Sequence, residues 1–382
     1  MNRIKLIKMS LLSSILILSS CGGGGSSNSS IELNNTQENL SDNSTIDDTI
    51  RNEPYFKYQW HLNSSHSILN DKGYRVDDNA DINILEAWKV TKGAGVRVAV
   101  IDDGGQPLHE DLKDNVILTY NVNNGSNTVY YQSYHGSHGN TCSGFIASPI
   151  NGVGTIGVAP ESKLIIIRQN EISDAQDILA FEYAKNNGAK VISCSWGSYN
   201  VSDILVSELK KMYDAGITVI FASGNDGSSL DSDNVNDESE VKWVIGVGAS
   251  TENNDFAYYS NYGKNIDVIA PGGDTDISSG ILGIDNMGED GESSQLNLVN
   301  NNYAFTNGTS FATPVTAGVI ALMYSVNPNI TPKEVRDILI KTADKVGTNN
   351  GANYNSNGFD IRRAYGKINA GKAVLEAQRV AN

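Results

Sequence analysis

Four polar side chains in this sequence stand where an apolar stretch ends or begins. Asp102 closes a β-branched stretch, and His138 opens a helical pattern lined with small residues. Asn225 lies in a Gly-flanked turn after another apolar stretch, and Ser310 precedes a third. Each alone has an ordinary interpretation as a cap, a turn or a packing residue. Together they could supply an orienting carboxylate, a base, an amide donor for a forming oxyanion, and a nucleophile.

The surrounding pattern predicts the elements that must position these side chains. Short apolar runs typical of strands buried on both faces alternate with helical patterns, which predicts an α/β fold with a mostly parallel sheet. Such sheets gather functional residues at the carboxyl ends of their strands. Thr331, Pro332 and Glu334 predict a capped helix start. The predicted strands cover residues 96–101, 164–167, 191–192, 218–221, 244–247 and 266–269, and the predicted helices cover residues 175–187, 203–215 and 310–324.

Four stretches carry the candidate residues in a fixed order: VAVIDDG, HGNTCSGFIA, FASGNDG and TNGTSFATPVTAGVIALM. Together they resemble the subtilase (subtilisin-like) family of serine proteases, over the chain from about residue 55 onward. The resemblance implies a three-layer α/β/α subtilisin-like fold and a serine endopeptidase. It implies that Ser310 is the nucleophile, His138 the general base and then acid, and Asp102 the residue that orients the imidazole. Asn225 would donate to the oxyanion, joined by the Ser310 backbone N–H.

Two neighbouring residues compete for these roles. His135 also stands before a glycine and a serine, but the family register counted back from Gly144 and Ala147 selects His138. His135 is therefore expected at the rim of the site. The family's first aspartate orients the imidazole, so Asp103 takes another role.

The flanking stretches PYFKYQWHLN, DDGGQPLHEDLKDN and SCSWG are similar to the kexin/proprotein-convertase branch of the family. In that branch the residue at Asp103 helps to bind a basic side chain, and the SWG segment pairs with the extended substrate backbone. Trp196 also has a plain interpretation as a packing aromatic residue. The substrate-binding residues implied are Asp103, Ser195, Trp196, Gly197, Gly224 and Thr309.

The sequence also departs from that branch. No carboxylate follows the SWG segment before Asp203, although kexins place one there to bind arginine or lysine. No P-domain is expected after the catalytic domain, and no family-type propeptide before it. A preference for basic residues and the route of maturation therefore both stay open. An acidic loop could supply the missing carboxylate or be simply solvated; its members are Asp231, Asp233, Asp237, Glu238 and Glu240.

A structural calcium ion is implied by the same resemblance. The family's tight site uses an N-terminal aspartate, an aspartate nine residues after the catalytic one, and an Asn-containing loop. These map to Asp81, Asp111 and Asn151, with carbonyl ligands expected from residues 149–155. Hard oxygen ligands suit Ca²⁺, although Asp111 could also merely cap a turn.

The N-terminal residues predict export and anchoring. Residues 1–20 combine basic residues with an apolar run too short to span a bilayer, as in a secretory signal. Their end is similar to a bacterial lipobox, so Cys21 is expected to be lipidated; the alternative is an ordinary signal peptide with an incidental cysteine. Residues 21–53 predict a flexible tether, and residues 54–382 the peptidase domain. The expected location is the extracytoplasmic cell envelope, at the outer membrane or surface where two membranes exist, since Gly22 follows the cysteine.

The composition narrows the class of partner. A formal charge of −16 argues against a nucleic-acid partner. The expected partners are a protein or peptide substrate and, through Cys21, a membrane, and the chain is expected to be a monomer. Cys142 and Cys194 could pair but are predicted to be buried free thiols. Two alternatives stay open, a catalytically idle binding module with this fold and a protease dedicated to one partner protein.

Overall fold

The structure is a computed structural model, which describes residues 47–130, 138–171, 173–198, 200–231, 237–291 and 297–381. Residues from Ile46 to Asn382 form one compact unit. Its strands are β1 (Arg97–Asp102), β2 (Val116–Asn121), β3 (Lys163–Arg168), β4 (Val191–Cys194), β5 (Thr218–Ala222), β6 (Ile245–Ser250), β7 (Val268–Pro271), β8 (Ile281–Ile284) and β9 (Tyr303–Thr306). Its α-helices are α1 (Asp48–Arg51), α2 (Ile84–Trp88), α3 (His138–Ala147), α4 (Asp174–Asn186), α5 (Asp203–Asp214), α6 (Thr309–Val326), α7 (Pro332–Thr342) and α8 (Ala370–Ala381).

A seven-stranded sheet in the order β2-β3-β1-β4-β5-β6-β7 forms the centre of this unit. Every neighbouring pair in it is parallel, and β1 lies between β3 and β4, with Val98 opposite both Leu164 of β3 and Val191 of β4. Strands β8 and β9 form a separate antiparallel pair. Parallel strands place all their carboxyl ends at one edge, so the residues that follow β1, β4 and β5 lie at the same side of the sheet.

Helices cover both faces of the sheet, because successive strand residues point to opposite sides. Along β1, Val98 and Val100 belong to the core that includes α3 and α6, whereas Ala99 and Ile101 pack in the core that includes α4 and α5. The arrangement is a three-layer α/β/α sandwich, which confirms the predicted fold class.

Helix α6 is enclosed by the rest of the protein over most of its length. Within the described part of the chain it is the one helix long and apolar enough to cross a membrane, yet 83 % of its most apolar stretch is buried in the protein. Its apolar character is that of a core helix packed on the sheet. Ser310 stands in its first turn.

The predicted strands and helices are confirmed, with ends that differ by one or a few residues. Helix α7 has the predicted capping box: Thr331 Oγ1 accepts from the Glu334 N–H, and the Glu334 side chain accepts from the Thr331 N–H. The compact unit, however, begins at Ile46 rather than at 54. Asp47 caps helix α1, and Glu53, only 3 % exposed, bonds to the Gly152 N–H at 2.7 Å. The stretch of residues 47–53, which the sequence assigns to the tether, thus includes residues that contact the domain.

Candidate functional site

Asp102 and His138 form a buried pair at the carboxyl end of β1. Asp102 is 7 % exposed, and its Oδ1 lies 2.8 Å from Nδ1 of His138, the first residue of α3. An ionised carboxylate only accepts, so Nδ1 carries the proton and Nε2 is left as the basic nitrogen. The Asp103 N–H also donates to Asp102 Oδ1. The pair has the geometry in which a carboxylate fixes the tautomer of an imidazole.

The charge balance at this pair favours the imidazolium. Burial has the largest single effect and lowers the pKa of His138, but the Asp102 carboxylate and Cys142 together outweigh it, so that the net pKa is well above its ordinary value. Cys142, one helical turn on, has its Sγ 3.9 Å from His138 Nδ1. Burial raises the pKa of the Cys142 thiol, which stays neutral. Asp102, His138 and Cys142 are close enough to hold a metal ion, but the bond to Asp102 already occupies Nδ1.

Gly139 allows α3 to approach β1 this closely. A Cβ at this position would lie 2.2 Å from the Gly104 carbonyl oxygen and 2.8 Å from the Asp102 Cβ, distances that real side chains do not reach. The Gly139 N–H donates to Asp103 Oδ1 at 2.9 Å. Burial, with Asp102 adding to it, raises the pKa of the half-buried Asp103 to about 6. Asp103 therefore anchors the start of α3 beside His138.

Ser310 lies in the first turn of α6, where the end of the helix presents N–H groups without intrahelical partners. Its hydroxyl donates to the Ser195 carbonyl oxygen at 3.2 Å in this structure, rather than to His138. Its own carbonyl accepts from the Ser195 hydroxyl at 2.7 Å and from the Cys142 thiol at 3.4 Å. That carbonyl is available because Pro314, four residues on, has no N–H to donate to it. The Cys142 thiol thus contacts both His138 and the Ser310 carbonyl oxygen.

The side chain of Asn225 is held in one orientation by the start of α6. Its Oδ1 accepts from both the backbone N–H and the hydroxyl of Thr309, each at 2.9 Å. Its Nδ2 lies on the side of Gly308, where a Cβ built on that glycine would be 3.6 Å away. Because the carbonyl end of the amide is occupied by donors, Nδ2 is the end that can donate beside Ser310.

Thr309 lies behind Asn225. Its side chain is fully buried, and its hydroxyl accepts from the Gly224 N–H at 3.2 Å while donating to Asn225. Its side chain therefore supports the Asn225 amide. Gly224, with a φ of +96°, is half-buried beside Asn225.

The segment after β4 has mixed surroundings. Ser195 bonds to Ser310 in both directions, and the Trp196 indole donates to the Ile101 carbonyl at 2.8 Å and packs edge-on against Phe221. The Trp196 side chain is thus a packing aromatic residue. Gly197 is half-buried. Any pairing of this segment with an extended substrate would therefore use its backbone, since the Trp196 side chain is packed against the protein.

Two acidic side chains of the predicted acidic loop lie directly beside this segment. A Cβ on Gly197 would be 2.9 Å from Asp237 Oδ2 and 3.4 Å from Glu238 Oε2. Glu238 is fully buried and accepts from the N–H and hydroxyl of Ser198. Burial raises the pKa of Asp237 to about 7. Neither carboxyl group is a solvated surface charge, whereas Asp231 of the same loop is exposed.

Two of the three predicted calcium ligands lie together. Asp111 is fully buried, and its Oδ2 accepts from the N–H and hydroxyl of Thr155, both at 2.8 Å. Asn151 belongs to the same loop, and its Oδ1 accepts from the Val153 N–H. Glu53 reaches this loop from the N-terminal side through the Gly152 N–H.

The contacts of Asp81 do not support its predicted role as the third ligand. Its Oδ1 accepts from the Asn83 N–H, and its Oδ2 accepts from the N–H and hydroxyl of Ser64, 17 residues earlier. Glu53 is the acid whose carboxylate accepts from this loop. One oxygen each of Glu53 and Asp111 is buried without a hydrogen-bond partner among the described residues. Burial raises the pKa of both groups, and each adds to a negative site that fits a hard cation.

Three of the residues named in the sequence predictions lie outside the described part of the chain: Cys21, His135 and Asp233. Cys142 and Cys194 are buried free thiols, as predicted. Sequence reasoning missed Glu53, which is one of several acids in a stretch that reads as tether and is marked only by its position directly before Pro54.

Comparisons with known proteins agree with this geometry. The model of the subtilase family matches residues 93–366. A calcium-dependent protease of Nostoc sp. is 32 % identical over 85 % of this chain and 52 % of its own length. Subtilisin DY of Bacillus licheniformis is 33 % identical over 70 % of this chain and 91 % of its own. The chain thus spans about half the length of the calcium-dependent protease that it matches.

Solved structures share the fold. Proteases from Pseudoalteromonas arctica superpose with a TM-score of 0.70 at 27 % identity, over 85 % of this chain and 99 % of theirs. A serine protease of Aeromonas sobria gives a TM-score of 0.70 at 24 % identity, over 84 % of this chain and 66 % of that one, which supports the fold alone. With an aspartate–histidine pair at the end of β1, a serine at the start of α6 and a family match over residues 93–366, the chain belongs to the subtilase family of serine proteases.

Proposed function

We propose that the chain is a serine endopeptidase in which Ser310 attacks the scissile carbonyl. The observation that carries the proposal is the convergence of three elements on the Cys142 thiol. Asp102 bonds to His138, whose ring contacts this thiol, and the Ser310 carbonyl in the first turn of α6 accepts from the same thiol. A family match alone would not require these side chains to share a site.

In the proposed reaction, the Ser310 hydroxyl exchanges its bond to the Ser195 carbonyl for one to His138 Nε2. Catalytic hydrogen bonds commonly tighten only when a substrate is bound. His138 takes the hydroxyl proton as Oγ bonds to the carbonyl carbon, and Asp102 stabilises the resulting imidazolium. His138 then returns the proton to the leaving amine. Water repeats the sequence to release the acyl group from Ser310.

The oxyanion of the tetrahedral intermediate would be held by two donors. One is Asn225 Nδ2, whose direction is fixed by Thr309, and the other is the Ser310 backbone N–H at the positive end of α6. Donors already oriented need no reorganisation as charge develops, which is the source of their catalytic effect.

A fluorophosphonate probe tests the proposal directly, because it reacts only with an activated serine. We expect labelling of the wild-type chain and none of Ser310→Ala. Asp102→Asn, which keeps the shape of the pair, should label far more slowly. No labelling of a correctly folded wild-type chain would instead support the idle binding module, in which the Ser310 hydroxyl stays on Ser195.

We propose further that Asp237 favours substrates with a basic residue before the cleaved bond. It is placed beside Gly197 of the pairing segment, and both oxygens of its neighbour Glu238 are already bound by Ser198. A cationic side chain would compensate the cost of burying the Asp237 carboxylate. Asp103, half-buried beside His138, is a second candidate for contact with a basic side chain.

A peptide-library cleavage profile tests this preference. We expect Arg and Lys before the cleaved bond in the wild type, and a loss of that preference in Asp237→Asn. The matched control is Asp231→Asn in the same loop, which should leave the profile unchanged. A profile indifferent to charge would refute the kexin-like specificity. Cleavage of one protein only would indicate a dedicated processing protease.

We propose that Glu53, Asp111 and the loop of residues 151–155 hold a structural calcium ion. Ca²⁺ there would cross-link the N-terminal segment, the region after β1 and this loop by neutralising two buried carboxylates. The fit is supported by the unpaired oxygens of Glu53 and Asp111, and a relative is named a calcium-dependent protease. Chelation should lower the melting temperature of the wild type, and much less that of Asp111→Asn.

We propose that the mature chain is a monomer tethered at the cell envelope through lipidated Cys21. The sequence of residues 1–21 supports this, and it predicts incorporation of a palmitate analogue that Cys21→Ala abolishes. A soluble, unlabelled wild-type product would support an ordinary signal peptide. Size-exclusion chromatography with light scattering tests the monomer.

A further inference from the structure

Two buried carboxyl groups lie together away from the residues discussed so far. Glu252 follows β6 and is fully buried, and Asp274 follows β7 with 1 % exposure. Glu252 Oε1 accepts from the Gly280 N–H at 2.6 Å, and Asp274 Oδ1 from the Asp276 N–H at 3.0 Å. Glu252 thus holds the far end of the loop of residues 272–280, and Asp274 closes a turn within it.

Each group has a second oxygen that the fold leaves unsatisfied. Glu252 Oε2 and Asp274 Oδ2 are buried and have no hydrogen-bond partner among the described residues. Neither group forms an ion pair with a lysine or arginine in that part of the chain. A buried carboxylate oxygen without a partner costs free energy, and a second carboxylate nearby adds repulsion. Burial, with Asp274 contributing, raises the pKa of Glu252 to about 7.

We propose that Glu252 and Asp274 bind a divalent cation, Ca²⁺, through Glu252 Oε2 and Asp274 Oδ2. Two carboxylates provide the charge that neutralises one divalent ion, and backbone carbonyls and water can complete an all-oxygen coordination shell. This site is distinct from that of Glu53 and Asp111, since the two use different segments of the chain.

The loop that the cation would brace also contacts the start of α6. The Gly272 carbonyl accepts from the Gly308 N–H at 3.0 Å, and the Thr275 hydroxyl donates to Asn307 Oδ1. Asn307 and Gly308 directly precede Thr309 and Ser310. If the proposed peptidase function holds, loss of this cation should loosen the backbone that presents Ser310, and so lower kcat more than it raises KM.

Calcium stoichiometry tests the site without using activity. Calorimetric titration is done in a Ser310→Ala background, which prevents self-cleavage. Glu252→Gln and Asp274→Asn should each lose one Ca²⁺ per chain relative to that background. The matched control Asp276→Asn, which changes an exposed acid of the same loop, should lose none. The proposal would be overturned if both Glu252→Gln and Asp274→Asn bound as many Ca²⁺ ions per chain as the background and melted at a higher temperature. That result would show that the two acids share a proton.

Terbium provides a second test that depends on position. The Trp60 indole donates to the Gly280 carbonyl at 2.8 Å, so an ion beside this loop should give tryptophan-sensitised Tb³⁺ emission that Ca²⁺ displaces. We expect that emission to survive Asp111→Asn and to be lost in Glu252→Gln.

Crystals of the Ser310→Ala chain, with all proposed ligands intact, decide the question even where those variants fail to fold. With Tb³⁺ present, an anomalous peak should lie about 2.3–2.6 Å from both oxygens. No peak there would refute the site. The proposed peptidase function could fail the probe test while this ion is still found.

Discussion

Replacing Thr309 with valine isolates the support of the oxyanion donor from the donor itself. Valine has nearly the shape of threonine, and the position is fully buried. The change removes the hydroxyl that donates to Asn225 Oδ1 and that accepts from the Gly224 N–H. The backbone N–H of residue 309 still donates to Asn225 Oδ1 at 2.9 Å. The Asn225 amide therefore stays in place but is held by one donor instead of two.

The expected size of the effect follows from these bonds. A neutral hydrogen bond contributes about 0.5–1.5 kcal/mol, so that two contribute about 1–3 kcal/mol. Removing an oxyanion donor altogether costs about 10²–10³ in kcat, which sets the upper limit for any change that acts through Asn225. Because one donor to Oδ1 remains, we expect a loss of about 1–2 kcal/mol in transition-state stabilisation. This is a decrease of about 5- to 30-fold in kcat, with KM nearly unchanged.

A double-mutant cycle is the assay. Steady-state kinetics on a chromogenic peptide are measured for Thr309→Val, for Asn225→Ala and for the double variant. If Thr309 acts through Asn225, the valine should reduce kcat strongly in the wild type and hardly at all in the Asn225→Ala background. Thr309→Ser keeps the hydroxyl and should stay within about twofold of wild type, despite losing a methyl group worth about 1 kcal/mol of stability. Equal losses from the valine in both backgrounds would refute the reasoning.

Three further predictions test the rest of the site. Because His138 must be neutral to act as a base, kcat/KM should fall as the pH drops through its raised pKa. Asp102→Asn should move this acid limb of the pH profile to lower pH and reduce kcat by on the order of 10⁴. An acid limb that stays in place would contradict the assigned pair. Gly139→Ala puts a Cβ 2.2 Å from the Gly104 carbonyl oxygen, so we expect a lower melting temperature and a reduced kcat; wild-type kinetics would show that α3 does not need this approach. Each calcium site, saturated at about 100 times its dissociation constant, should stabilise the wild type by about 2.7 kcal/mol in denaturant titrations, and Glu53→Gln should lose the share of its own site. An equal gain in both chains would exclude Glu53 as a ligand.

The fold could be predicted because its strands are buried on both faces. Their β-branched runs stand out in the sequence, and the parallel arrangement follows from the helices between them. The carboxyl ends of β1 and β5 could then be recognised as places for Asp102 and Asn225. Their motifs fix which residue is used, but the partners of each side chain depend on the tertiary structure.

The N-terminal acid shows where sequence reasoning fails. The family resemblance assigns the role of calcium ligand to Asp81, whereas Glu53 lies in a polar stretch that reads as tether. The structure reverses the two, because Ser64 and Asn83 already satisfy Asp81 while Glu53 turns back onto the loop at Gly152. Which acid is left with an unpaired oxygen depends on contacts between distant segments. No local pattern carries that information.

Pro314 shows how a residue that weakens a helix can organise a site. By sequence alone a proline at the sixth position of α6 is only a loss, since it removes one helical hydrogen bond. In the folded chain the carbonyl released is that of Ser310, and it accepts from the hydroxyl of Ser195 and the thiol of Cys142. Those two donors come from the end of β4 and from α3, the helix that begins with His138. The lost bond of one helix therefore becomes the contact by which three separate elements fix the position of Ser310.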